Sequence, residues 1–150
     1  MKLPKVTGRN LARQKKIFPD DFEGNINLVF IAFLRRHQDV IDEWVPFVDK
    51  IAQENEQLHY YEFPTLSRGG PLYRVFLNEG MRAGIPDKAT RARTITLYLD
   101  KAAFRAALDI DSEQHIWIYL FDRDGLVLGR IKGHYTEEKG AELMRLIAEE

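Results

Sequence analysis

The strongest constraint on the fold is a continuous apolar run, Asn27–Leu34, which contains no charged residue. Strand-forming residues dominate the run, as is typical of a central strand buried on both faces of a sheet. A helix is predicted at about 38–54, because apolar residues recur there at helical spacing while charged residues fill the other side. A second strand at Leu58–Phe63 completes a βαβ unit, whose crossover should be right-handed.

The C-terminal third predicts a ββα unit. A strand at Ile116–Phe121 leads into a tight turn, Asp122–Gly125, in which glycine occupies the position that needs a positive φ. The strand Leu126–Ile131 should return antiparallel to the first, and Thr136 should open a final helix. The side of that helix predicted to be buried holds Leu143, Met144, Leu146 and Ile147.

The pattern between these two units is less regular. Residues 71–83 predict a helix that ends at Gly84 and Pro86. The stretch Thr94–Leu99 alternates like a strand, and Lys101–Leu108 predicts a short helix. The middle of the chain is therefore expected to hold short elements that connect the βαβ and ββα units.

Residues 1–25 form an N-terminal extension that turns through Pro19–Asp21 and Gly24, which suits a short hairpin. The chain of 150 residues has the length of one domain. With 45% hydrophobic and 30% charged residues it has an ordinary globular composition. Because no linker or repeat divides the sequence, we expect a single domain over residues 1–150.

The order βαβ, variable middle and ββα resembles a thioredoxin-like domain, which implies a three-layer α/β/α fold around a mixed sheet. The segment Phe33–Gln38, followed by a helix containing Pro46, is similar to the family's strand, active-site loop and proline-kinked helix, without a gap. The stretch Thr94–Gly125, with its D-x-D-G turn, resembles the peroxiredoxin-like branch. Gly80–Asp87 and Thr90–Thr94 are similar to bacterial relatives of the mitochondrial ATP synthase assembly-factor family, which generally handles a membrane-sector subunit.

The resemblance shows which chemistry this chain lacks. In the family, redox cysteines lie at the N-terminus of the long helix, where the dipole and free N–H groups lower the thiol pKa. The gapless alignment places those two positions at Gln38 and Ile41. The family's cis-proline would fall near Ile116, and no proline follows Pro86. Because the chain contains no cysteine, thiol–disulfide exchange and cysteine-based peroxide reduction are excluded for it.

The loop Arg35–Gln38 occupies the place of the family's active site and permits two interpretations. A helix N-terminus beside Arg35 and Arg36 suits a phosphate or carboxylate, and His37 could titrate near neutral pH. In the other interpretation the loop is a solvated polar connection. We assign no catalytic residue from the sequence.

A basic segment follows in the middle of the chain, since bases outnumber acids from Arg68 to Arg105. Together with the basic N-terminal stretch, it predicts a positive face for an acidic protein segment or anionic lipid headgroups, unless acidic residues elsewhere balance it. Nucleic acid is not expected, because the net charge is -1 and no groove-reading motif is present. The candidate binding residues are Arg35, Arg36, His37, Gln38, Tyr73, Arg82, Arg91 and Arg93.

Neither a metal nor a cofactor is expected, because the histidines are scattered and no phosphate-loop or dinucleotide spacing occurs. Two function hypotheses remain. The leading one is a non-catalytic, cysteine-less thioredoxin-like protein that binds a protein partner as an assembly or chaperone-like factor, with a membrane-sector subunit among the candidate partners. The other is a small-anion-binding protein or non-redox enzyme using Arg35, Arg36 and His37. The lack of a signal peptide or long apolar run predicts a cytoplasmic protein, and we expect it to be a monomer or homodimer.

Overall fold

The computed structural model of the chain describes residues 1–67 and 88–150. The helix predicted at 71–83, together with Tyr73 and Arg82, lies outside the described residues. The described strands are β1 (Val6–Asn10), β2 (Lys15–Phe18), β3 (Ile26–Ala32), β4 (Leu58–Leu66), β5 (Ile95–Tyr98), β6 (Trp117–Phe121) and β7 (Val127–Lys132). The described helices are α1 (His37–Gln53), α2 (Lys88–Arg93), α3 (Lys101–Leu108) and α4 (Glu137–Ala148).

All seven strands form one sheet in the order β2-β1-β5-β4-β3-β6-β7. The central strand β3 pairs parallel with β4 and antiparallel with β6, so the sheet is mixed as predicted. Every residue of β3 is buried, which confirms that the long apolar run supplies the middle of the sheet.

Two apolar cores form because successive side chains of a strand point to opposite faces of the sheet. Leu28 and Phe30 of β3 pack with the buried faces of α1 and α4. Val29 and Ile31 pack on the other face, with α3. The predicted three-layer α/β/α arrangement follows, and each fully buried side chain of this size stabilises it by about 1.5–3 kcal/mol.

The N-terminal hairpin differs from its prediction in the place of its turn. The chain reverses between β1 and β2, at residues 11–14, and the stretch 19–24 instead connects β2 to β3. The Asn10 side chain organises the reversal, because its Oδ1 accepts the N–H groups of Ala12 (3.0 Å) and Gln14 (2.9 Å). This turn contains neither glycine nor proline, so the usual sequence signals did not reveal it.

The hairpin is also part of the main sheet, since β1 pairs antiparallel with β5. Gly8 makes that pairing possible. A Cβ atom at residue 8 would lie 2.5 Å from the backbone oxygen of Thr96, closer than any real contact of this kind.

The C-terminal ββα unit is present as predicted, with Gly125 at φ +86° in the turn and Thr136 capping α4 by accepting the Lys139 N–H. Leu143 and Ile147 are buried, but Met144 is 44% exposed, so its predicted burial is wrong. Met144 lies one residue beyond Leu143, about 100° around the helix from the stripe that faces the sheet.

Within residues 1–67 and 88–150, no helix combines the length and apolarity that crossing a bilayer requires.

We predict that Gly8→Ala lowers the free energy of unfolding by about 1–3 kcal/mol, because the added methyl forces β1 away from β5. The matched control is Thr7→Ala, an exposed neighbour on the same strand, which should change it by less than about 0.5 kcal/mol. Urea denaturation measures both values. Equal stability of the two variants would show that β1 does not approach β5 this closely.

Candidate functional site

Backbone hydrogen bonds close a tight turn between the end of β3 and the start of α1. The N–H groups of residues 37–39 donate to the carbonyl oxygens of residues 34–36, at 3.0, 3.2 and 3.2 Å. The first N–H groups of a helix are normally the ones left free to bind an anion. Here these three are already used by a tight turn, which weakens the anion-site interpretation of the loop.

His37 is turned into the protein and is only 2% exposed. Its Nδ1 accepts the N–H groups of Phe33 (3.0 Å) and Leu34 (3.2 Å). Its Nε2 lies 3.2 Å from the carbonyl oxygen of Gln114 and therefore carries the proton. Burial lowers the pKa of His37, so the neutral imidazole joins the end of β3 to the loop before β6.

Gln38, at the first of the two cysteine positions of the resemblance, holds together two acidic side chains. Its Nε2 donates to Asp42 Oδ1 at 3.0 Å and to Glu62 Oε1 at 3.2 Å. Ile41, at the second cysteine position, is 1% exposed and belongs to the core under α1. Each position is thus occupied by a side chain with a structural contact of its own.

Glu62 is the residue of this site that sequence reasoning missed. It lies in β4, opposite Phe30 of β3, and is only 2% exposed. Burial raises the pKa of its carboxyl, while the hydrogen bond from Gln38 acts in the opposite direction. The sequence did contain a signal for this site, namely one acidic residue inside the largely apolar strand Leu58–Leu66. The aromatic residues of that strand drew attention away from it.

Arg35 and Arg36 are both exposed at this end of the sheet. Arg36 Nη2 donates to Gln114 Oε1 at 2.8 Å, which brings the loop before β6 against the start of α1. Ile116, near the expected position of the family's cis-proline, follows in that loop and is buried. The surface offered to solvent here therefore carries two guanidiniums and part of Gln38, together with the exposed side chains of Asp39, Asp42, Gln114 and His115.

Arg91 and Arg93 lie on a different element from the arginines of the loop. They lie on α2, which precedes β5, the strand next to β4 in the sheet. Arg93 Nη1 lies 3.6 Å from Asp49 Oδ1, and its Cζ lies 4.1 Å from the centre of the Tyr60 ring. Because α1 rises 1.5 Å per residue, about 16 Å of helix separate Asp49 from Gln38. Arg93 nevertheless borders the site along β4, where its positive charge opposes the raised pKa of the Glu62 carboxyl, whereas Arg35 and Arg36 lie at the start of α1.

The fold defines the class to which this arrangement belongs. No protein-family model matches the chain, and no curated protein matches its sequence. Solved thioredoxin-like structures do match its backbone over nearly its whole length, and the chain therefore has a thioredoxin-like fold.

Three of these structures illustrate the likeness. Arabidopsis thaliana ScoI with copper bound superimposes with a TM-score of 0.64 at 10% identity, covering 100% of both chains. The exposed lipoprotein thioredoxin Etrx1 of Streptococcus pneumoniae gives 0.59 at 13% identity, covering 97% of this chain and 99% of its own. A thiol:disulfide interchange protein from Bacteroides sp. gives 0.61 at 14%, covering 96% and 86%. At these identities the likeness concerns the fold, and the finer resemblance to peroxiredoxins and assembly factors stays a prediction.

The donor set of this chain does not suit the copper that ScoI carries. Copper(I) prefers soft thiolate ligands, and the chain has no cysteine. In the part of the chain that the structure describes, no three His, Asp or Glu side chains lie together so that they could hold a metal ion. We therefore derive no copper chemistry for this protein.

We predict that Glu62→Gln raises the free energy of unfolding at pH 7. The folded-state pKa of Glu62 is raised from its ordinary value of 4.5, so the wild type loses stability as pH rises from about 4.5 through that raised pKa. The amide should remove this loss and flatten the profile over the same range. Urea denaturation at a series of pH values measures it.

Glu113→Gln provides the control of opposite sign. The hydrogen bond from Lys101 lowers the pKa of Glu113, so its ionised form stabilises the fold at neutral pH and this contribution is lost on acidification. The Gln variant should therefore be less stable than the wild type at pH 7. A Glu62→Gln variant that also loses stability at pH 7 would contradict the assignment of Glu62 as a desolvated carboxyl.

Proposed function

We propose that this protein is a non-catalytic thioredoxin-like domain that binds a protein partner, as an assembly or chaperone-like factor. The observation that carries the proposal is the fate of the two cysteine positions. Gln38 is bonded to Asp42 and Glu62, and Ile41 is packed in the core. A thioredoxin-like scaffold without thiols keeps the surface that would contact a partner beside the active-site position. It lacks the thiol chemistry.

The exposed side chains beside that position supply the proposed contact. Arg35 and Arg36 are exposed, while His37 beneath them bonds only to the protein's own backbone. Arginine is enriched at the centres of protein interfaces, because its guanidinium forms several hydrogen bonds at once. A membrane-sector subunit, as the assembly-factor resemblance implies, is one class of partner, and a soluble protein is the other.

The small-anion site or non-redox enzyme is the weaker candidate. It depends on free helix N–H groups, on the two arginines and on an available His37. The N–H groups of residues 37–39 are already bonded, and both nitrogens of His37 are in use. Only Arg35 and Arg36 are left to hold an anion.

Chemical crosslinking in the native cell followed by mass spectrometry tests the proposal, with the full chain as bait. We expect one or a few proteins to be enriched by the wild type and lost with Arg35→Gln/Arg36→Gln. The control bait, Lys2→Gln/Lys50→Gln, removes two exposed positive charges elsewhere and should retain the partner.

Two results would contradict the proposal. One is the absence of any protein enriched over the arginine variant. The other is a saturable rise in melting temperature with inorganic phosphate that disappears in Arg35→Ala, because a ligand that binds the folded state stabilises it. That second result would favour the small-anion site.

A further inference from the structure

The N-terminal hairpin concentrates positive charge. Residues 1–19 contain six basic residues and no acidic one, since Asp20 is the first acid of the chain. The exposed basic side chains nearest the reversal are Arg9 on β1, Arg13 in the turn and Lys15 on β2. We call these three residues the basic tip.

The strand register places two of these charges directly opposite each other. Arg9 faces Lys15 across the β1–β2 pair. The neighbouring residues Asn10 and Gln14 form a hydrogen-bonded pair, with the Asn10 N–H 3.0 Å from the Gln14 oxygen. Because such pairs alternate along an antiparallel ladder, Arg9 and Lys15 form a non-hydrogen-bonded pair, whose side chains lie closer together. Like charges in this position destabilise a hairpin.

Nothing in the described residues neutralises this pair. Elsewhere in residues 1–67 and 88–150, Lys5 has an ion pair with Asp20 and Arg93 has one with Asp49. Within those same ranges, neither Arg9 nor Lys15 lies near enough to a carboxylate for an ion pair. Two facing, uncompensated cations form a site that a negatively charged group would stabilise.

Hydrogen bonds to α2 hold the backbone of the basic tip, so its charged side chains extend from a fixed position. The N–H of Leu11 donates to the Arg91 oxygen at 3.0 Å, and Asn10 Nδ2 donates to the Ala92 oxygen at 3.1 Å. These bonds dock the turn onto α2. The tip lies at the edge of the sheet opposite the start of α1, and β2 is four strands, about 19 Å, away from β3.

The local chemistry favours a protein segment over a lipid surface. Basic clusters that recognise anionic lipids usually hold four to eight Lys or Arg residues, and residues 1–19 hold six, so the apolar side chains decide between a lipid and a protein. The large apolar side chains exposed on the described residues are Met1, Leu126 and Met144, and none of them belongs to the hairpin. A membrane would therefore find no apolar anchor at the tip.

The open edge of β2 is closed to strand addition at Ile17. The N–H and C=O of Ile17, which point away from β1, are already bonded to Asp21, at 2.6 and 2.7 Å. An added strand could not pair with Ile17 there. A partner segment would instead reach the Arg9 and Lys15 side chains, which share one face of the hairpin.

We propose that the basic tip binds an extended, acidic segment of a protein partner through Arg9 and Lys15. This inference rests on the proposed partner-binding function and adds to it a second surface and the chemistry of the segment that the surface recognises. The carboxylates of the segment would separate the two facing cations, and binding would weaken with added salt.

A labelled peptide of alternating glutamate and serine tests the proposal by fluorescence anisotropy, with the glutamine–serine peptide as its neutral counterpart. We expect the full chain to bind the acidic peptide, and Arg9→Gln/Lys15→Gln to bind it about fivefold more weakly. Lys2→Gln/Lys50→Gln, which changes the net charge equally, should bind like the wild type. The melting temperature of Arg9→Gln/Lys15→Gln should not fall, because like-charge repulsion is removed. Should it fall, Arg9→Lys/Lys15→Arg keeps both charges and should bind the peptide like the wild type.

Three results would overturn the inference: no binding of the acidic peptide by the wild type, equal weakening in the two double variants, or binding to phosphatidylserine vesicles in place of the peptide. The proposed function fails separately, on the crosslinking experiment with the Arg35→Gln/Arg36→Gln bait. A partner captured equally by the wild type and by Arg9→Gln/Lys15→Gln would leave that function intact and reject the basic tip.

Discussion

The site depends on one buried imidazole. His37 accepts two N–H groups from the end of β3 and donates to the loop before β6, so a single side chain ties together three segments that meet at the start of α1. A buried N–H or carbonyl without a partner costs about 1–3 kcal/mol, and His37 satisfies three of them. The loop Arg35–Gln38, where the resemblance places an active site, is held here by hydrogen bonds within the protein.

These bonds bear on the two positions at which the resemblance places cysteines. Once the first turn of α1 is held by its own backbone, Gln38 can reach sideways to Glu62 and Asp42, and Ile41 can face the core. The buried carboxyl of Glu62 is compatible with the fold because an amide, rather than a thiolate, lies against it. A negative sulfur at residue 38 would add a like charge beside a carboxylate that burial already disfavours.

The sequence was sufficient for the middle of the sheet, because β3 and β6 are continuous apolar runs, which are typical of strands buried on both faces. The alignment at Gln38 and Ile41 could likewise be read without coordinates. Three features could not be predicted, since each depends on contacts distant in sequence. They are the inward orientation of His37 toward Gln114, the burial of Glu62 under α1, and the contacts of Arg93 with Asp49 and Tyr60.

The most direct test of the His37 hydrogen bonds at the start of α1 is a long-range ¹⁵N–¹H spectrum of the His37 imidazole. The spectrum is recorded as a function of pH, with and without inorganic phosphate. We predict a neutral ring with its proton on Nε2 at pH 7, a pKa below the ordinary 6.5, and no change on adding phosphate. A ring that titrates near 6.5 and shifts with phosphate would contradict this prediction, because His37 would then face solvent and serve as part of an anion site.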